Sequence, residues 1–159
     1  MLGPKKTSML QGLGFCVWLT VRKSHPWWSA SKRLCDETDA TFCRPHVRLL
    51  EGASSPLKAS HTLPPYTGIF RLSTWSNPKI KIVHVKGWPP LHRILFEGRL
   101  GENNMELEVA RRFDLPFRPD DLRTASEIFQ HESLEMLNPV RLIVRAKEPD
   151  PKRWKDISP

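Results

Sequence analysis

Two cysteines and a histidine, residue types that bind metals or move protons, gather in one stretch of the chain. Cys35, Cys43 and His46 form C-x7-C-x2-H, with His25 upstream. Zinc sites as a rule begin with close pairs such as C-x2-C, because a short loop must aim two ligands at one ion. The spacing here lacks that pair, so these are read as ordinary thiols, and neither a metal nor a cofactor is expected. With Cys16 the cysteines number three, an odd count without tight pairing. That argues against a disulfide framework and for a reducing compartment. The remaining histidines, His61, His84, His92 and His131, are scattered. His84 and His92 lie near strand-like runs, but neither has a nameable acid–base partner. Glu106 with Glu108, and Asp120 with Asp121, sit where the first turn of a helix favours acids, and the helix dipole explains them without catalysis. The sequence contains no glycine-rich phosphate loop, no G-x-S-x-G and no H-E-x-x-H. No enzyme and no small-molecule substrate is therefore expected.

What the chain does carry is positive charge. Its 25 Lys and Arg exceed its 17 Asp and Glu, for a net +8. Such a balance favours an anionic partner, nucleic acid ahead of a membrane surface, with simple solubility as the plainer explanation. The charge is uneven. Arg71, Lys79, Lys81, Lys86 and Arg93 span a stretch without one acid, whereas residues 97–135 hold ten acids and five arginines. Residues 141–155 return to six cations against two acids. If the strands at 79–86 and 140–146 share a sheet, Lys79, Lys81, Lys86, Arg93, Arg141 and Arg145 form one basic surface over an apolar underside. Phosphates suit such a surface, because bound cations release condensed counterions. Trp75, Trp88 and Trp154 flank the basic runs, placed either to stack on unpaired bases or to pack against the sheet.

The elements that must position these residues are short. At 159 residues the chain is one domain's worth, or one small domain with an extension. Apolar residues are 39%, and the 15 prolines are about twice the usual share. Much of the chain is therefore expected to be extended. Residues 1–34 contain six Lys and Arg and no acid. That is the composition of an organelle transit peptide; a secretory signal is the rival, and Pro26-Trp27-Trp28 stands where its cleavage site should be. The apolar run Leu13 to Val21 is too short to span a bilayer, which takes about 20 residues. Residues 35–65, interrupted by Pro45, Pro56, Pro64 and Pro65, read as an extended arm with at most a short strand or turn at His46–Leu50. The compact domain is expected at 66–147, and 148–159 as a basic tail.

Within 66–147, Ile69 to Leu72 and Lys79 to Val85 read as strands, the second alternating Ile80 and Ile82 with Lys79 and Lys81. Leu91 to Phe96 is a third, followed by a turn between Glu97-Gly98 and Gly101-Glu102. Asn103 or Asn104 is then placed to cap a helix running to Phe113, with Met105, Val109 and Phe113 as its apolar stripe. A second helix is predicted from Pro119-Asp120-Asp121 towards Leu137, with Leu122, Ala125, Phe129 and Met136 on one face. Val140 to Ala146 alternates as the clearest strand.

This part resembles the universal large-subunit ribosomal protein twenty-three family, mitochondrial members above all. Asn77-Pro78-Lys79-Ile80-Lys81-Ile82-Val83 looks like the Asn-Pro and apolar-basic strand that open the family's domain. Glu108-Val109-Ala110-Arg111-Arg112-Phe113-Asp114-Leu115-Pro116-Phe117, leading to Leu122-Arg123-Thr124, is similar to the family's helix and hydrophobic-Arg-Thr step. The family's long basic hairpin has no counterpart, since residues 125–138 read as helical and acidic. The resemblance implies an α+β, ferredoxin-like antiparallel sheet with helices on one face. It implies a structural component of the mitochondrial large ribosomal subunit, in the matrix, bound to ribosomal RNA beside the peptide exit tunnel. Neighbouring ribosomal proteins and membrane-insertion or chaperone factors are the further implied partners. By position it puts Asn77, Lys79 and Lys81 on the RNA-facing strand and adds Arg111, Arg112, Arg123 and Arg145. A different class shares the transit-like leader, the proline-rich arm and the lack of catalysis: an accessory subunit of a respiratory membrane complex.

Overall fold

The computed structural model describes residues 14–53, 70–72, 78–83, 90–113, 115–130, 140–146 and 155–156. The central hairpin explains most of what positions the site. Strand β5 (Leu91–Leu100) turns through Gly101 and Glu102 into β6 (Asn103–Phe113), and the two pair along their whole length. Gly101 has φ +63°, the value a two-residue hairpin loop requires at its first position and that glycine adopts without strain. The helix predicted over this stretch is thus a strand. Met105, Val109 and Phe113 lie four apart, a spacing that fits a helical stripe and also one face of a strand. The expected caps Asn103 and Asn104 pair with Leu100 and Arg99 instead.

Around the hairpin, β1 (Gly14–Thr20), β2 (His46–Ala53), β3 (Phe70–Leu72), β4 (Lys79–Val83), β7 (Val140–Ala146) and β8 (Lys155–Asp156) complete one antiparallel sheet. Its order is β3-β5-β6-β2-β1-β7-β8. Strand β4 takes the other half of the β5 edge, pairing Leu91 to Leu95 while β3 pairs Gly98 to Leu100. The sheet curls into a half-barrel. With helices α1 (Pro26–Thr38) and α2 (Pro119–Phe129) the class is α+β.

Two expectations about organisation change. Strands β1 and β2 and helix α1 lie in the same sheet and core as the rest, so the described structure does not begin near Tyr66, and His46–Ala53 is a full strand rather than part of an extended arm. The ferredoxin-like arrangement is implied for residues 66–150, where the helix it assigns to Asn103–Phe113 is instead strand β6; α+β is the class that stands. Strands β1 and β2 flank α1 and pair directly, antiparallel, Leu19 opposite Val47.

Local chemistry accounts for the helices. Pro26 opens α1, where a missing N–H costs nothing, and Trp27 N donates to the Nδ1 of the cap residue His25 at 3.1 Å. Trp27, Ala30, Leu34 and Cys35 fall on one face and are buried. Asp39 closes the helix in the left-handed region, with Ala40 N donating to Cys35 O. In α2, Asp121 accepts from Arg118 N at 2.8 Å, and Ala125, Ile128 and Phe129 face the sheet core. The helix is described to Phe129; the predicted extension to Leu137 lies outside the described residues.

Both helices cover one face of the sheet. There Leu19, Val47, Ile94, Phe96, Leu100 and Leu107 pack with Trp27, Leu34 and Phe129 in a single cluster. Phe96 and Phe129 meet at 5.1 Å between ring centroids. Each such side chain contributes about 1.5–3 kcal/mol by leaving water. Opposite Ile94 and Leu95, β6 carries one residue too many, Val109, a bulge. Its carbonyl, turned out of register, accepts from Ser31 Oγ at 2.5 Å, which ties α1 to the irregularity. Among the described residues no helix is long and apolar enough to cross a membrane.

Candidate functional site

Strand alternation and register fix what lies on the face without helices. Leu95 pairs Glu108, Arg93 pairs Arg111 and Glu97 pairs Glu106 across β5 and β6. Strand β4 adds Lys79 and Lys81 opposite Leu95 and Arg93, and β3 adds Arg71 opposite Arg99. Strand β2 brings His46 beside Glu108, and β1 brings Trp18 opposite Arg48. Among the described residues this face holds seven cations, Arg48, Arg71, Lys79, Lys81, Arg93, Arg99 and Arg111, against Glu97, Glu106 and Glu108.

At its centre Glu108, 2% exposed, gathers guanidiniums from three strands. Arg111 donates from Nε at 2.8 Å, Arg48 from Nη2 at 2.9 Å and Arg93 from Nη1 at 3.3 Å. Burial alone pushes the Glu108 carboxyl up, but the surrounding charges outweigh it and hold it well below the usual carboxylate range. Burial likewise pushes His46 down to about 3, so its ring is neutral at pH 7 and the three arginines keep Glu108 ionised. Trp18 stacks on His46 at 3.7 Å between centroids. Burial also raises the thiols of Cys35 and Cys43 to about 12.

The C-x2-H half of the cysteine–histidine stretch does come together. Cys43 Sγ lies 3.8 Å from His46 Nδ1, and Cys43, His46 and Glu108 each place a donor atom within 4.8 Å of the others. Cys35 is not among the three. Its thiol points to Thr41 O and Val109 O, at 3.6 and 3.8 Å.

The candidate nucleic-acid residues separate into groups. Lys79 and Lys81 stand exposed on the helix-free face, beside Glu97 and Glu106. Arg93 and Arg111 lie on that face but are 5% and 1% exposed and bound to Glu108, so they face the interior and cannot meet a phosphate at the surface. Arg112 is on the helix side, where it donates to Pro116 O, approaches Asp121 at 3.6 Å and covers the Phe117 ring. Arg123 is an exposed α2 residue beside Asp120. Arg141 and Arg145 belong to β7, paired in register with Leu19 and Phe15. Asn77, Lys86, Trp75, Trp88 and Trp154 lie outside the described residues.

The two cationic strands do share a sheet but are not neighbours, because β5, β6, β2 and β1 stand between β4 and β7, so they do not merge into one basic surface. The face gains instead three arginines that the expected basic surface did not include. Each had a local signal: Arg48 between Val47 and Leu49, Arg71 between Phe70 and Leu72, and Arg99 before Leu100 all follow the alternation of a strand. No family model, curated relative or solved structure matches this chain, which leaves charge and geometry as the grounds for a function.

Proposed function

We propose that this chain is a non-catalytic RNA-binding protein, a structural component of the large subunit of the mitochondrial ribosome, with RNA lying on the helix-free face of its sheet. One observation carries the reading: with Arg48, Arg93 and Arg111 bound to buried Glu108, that face still exposes four cations, Arg71, Lys79, Lys81 and Arg99, against the two acids Glu97 and Glu106. The pairs that Lys79 and Lys81 make with Glu97 and Glu106 are surface pairs. Such pairs contribute little and exchange readily for a phosphate. The compartment and the ribosomal role both rest on the resemblance at residues 77–83, which falls on β4; the acid-free residues 1–34 are not a leader throughout, because β1 and α1 pack in the core. Neither depends on a ferredoxin-like arrangement.

The full chain should bind a fluorescent single-stranded RNA with an affinity that falls linearly in log–log form with salt. Removing one cation that meets a phosphate should flatten that slope by about 0.7. Reversing charge at Lys79, Lys81 and Arg99 to Glu should weaken binding and flatten the slope, whereas Lys32→Glu on α1 should do neither. Equal effects from both variants would refute the assignment of the face. In native extracts, nuclease treatment should move the chain out of a large particle. An unmoved chain would favour the accessory subunit of a respiratory membrane complex, its cationic face meeting acidic protein.

A further inference from the structure

Strand β4 stands at an open edge. It pairs β5 on one side, and among the described residues no strand lies on its other side. Exposure changes abruptly between the two strands. On β5, His92, Arg93 and Leu95 are almost fully buried. Their partners on β4, Ile82, Lys81 and Lys79, are exposed, and they lie on both faces of the sheet. A ladder uses the backbone groups of alternate residues on each side, so the remaining N–H and C=O groups of β4 point away from β5. Such a row is a template for a further strand. Side chains alternate along it. Lys79 and Lys81 stand on the helix-free face. Ile80 and Ile82 stand on the helix side, where Ile80 packs against the core and Ile82 remains 49% exposed.

We propose that this edge takes an extended segment of another protein, in which acidic and apolar residues alternate, as an added strand. Backbone hydrogen bonds supply the attachment, and the two rows of side chains supply the selection. Acids of the added strand sit beside Lys79 and Lys81, and an apolar residue covers Ile82. Opposite charges on neighbouring strands stabilise the pairing. The same rule disfavours a second copy of the chain. Two β4 strands paired antiparallel in full overlap set Lys81 directly against Lys81, where like charges repel. Nucleic acid does not suit the edge either, because a phosphodiester backbone offers no N–H to the β4 carbonyls and nothing apolar to Ile82. An added strand extends the sheet in its own plane, so it leaves the helix-free face open to RNA.

The test uses the full-length chain and a labelled synthetic peptide of alternating Glu and Val, read by fluorescence anisotropy. The peptide should bind, and amide exchange at residues 79–83 should slow in the complex. Two further peptides carry N-methyl groups on alternate residues, each blocking one edge of the strand without changing its charge. One of them should lose binding and the other keep it. Lys81→Glu should weaken binding of the unmodified peptide about tenfold and Ile82→Ser about fivefold. Ile82→Ser should leave RNA affinity where it was. Equal binding of the two methylated peptides would reduce the attraction to charge alone and overturn the proposal. Slowed exchange at residues 79–83 in a dimer of the free chain would give the edge to a second copy, and loss of RNA affinity in Ile82→Ser would give it to RNA; either would also overturn it. No peptide binding by a chain that still binds RNA would sink the added strand and leave the RNA-binding role standing.

Discussion

The two faces of one sheet are built on opposite principles by alternate residues of the same strands. On β6, Leu107 enters the apolar cluster under the helices while its neighbour Glu108 enters a knot of three guanidiniums. Both are almost fully buried. The apolar face gains from every contact it makes, whereas the ionic face offsets a large desolvation cost and gains only through mutual satisfaction. The first should tolerate change in proportion to the volume removed. The second should fail when one partner leaves.

Glu108→Ala should therefore have the largest effect, a loss of about 3–5 kcal/mol in urea unfolding, because three buried guanidiniums are left without their carboxylate. A cost below about 1 kcal/mol would mean that the knot holds nothing together. Leu107→Ala, one residue away on the other face, should cost about 2–5 kcal/mol, depending on how far the cavity collapses. The two should differ in kind even where they are close in size. Adding Arg93→Met to Glu108→Ala should recover part of the loss, whereas no second truncation should rescue Leu107→Ala.

Acid separates the faces further. Burial depresses His46 to about 3 from 6.5, and the arginines depress Glu108 below its ordinary 4.5. Since both folded values are lowered, the unfolded chain takes up protons first as pH falls, from 6.5 downwards at His46 and from 4.5 at Glu108. Stability present at pH 7 should drain away across that window. Leu107→Ala should keep the same pH dependence, and Glu108→Gln should flatten its lower part. A urea midpoint constant between pH 7 and 4 would contradict both assignments.

How much of this is legible in the sequence follows the range of the interactions. Strands at 70–72, 79–83, 91–96 and 140–146 are legible in the local pattern, and α2 in Pro119 with two aspartates; Glu97 to Leu100 reads as part of a turn because of Gly98, yet it continues β5 to Leu100. Helix α1 is equally periodic, at Trp27, Leu34 and Thr38 with Pro26 before them, but the acid-free composition of residues 1–34 draws the reading towards a leader. Strand β6 reads as a helix because a four-residue spacing serves both periods; Glu106-Leu107-Glu108-Val109 is the part that decides. The ionic knot has no local trace. Arg48 and Glu108 are 60 residues apart, and only the β6–β2 pairing brings them to 2.9 Å.

Gly98 tests how tightly the apolar face is fitted. A Cβ there would stand 2.2 Å from Phe70 Cζ and 2.7 Å from Arg71 O, and the second is backbone that a rotamer change cannot move. Gly98→Ala should cost about 1–3 kcal/mol through overpacking, with the loss concentrated where β3 joins β5. Amide exchange at Phe70 to Leu72 should accelerate more than at β6. Uniform acceleration would place the strain elsewhere.

The smallest effect should come from the rim of the ionic face. Lys79 is 57% exposed and its partner Glu97 43%, so water already solvates most of what the pair would gain from each other. The lysine holds its proton more firmly because Glu97 hydrogen-bonds to it, but the ammonium remains charged at pH 7 with or without that help. Lys79→Gln should leave the thermal midpoint where it was, at low salt and at high. RNA affinity is the property that should respond, because a phosphate gains a contact that the folded chain does not need. If Lys79→Gln shifted stability and left RNA affinity intact, the lysine would belong with Arg93 and Arg111, and the cationic face would be a device of the fold alone.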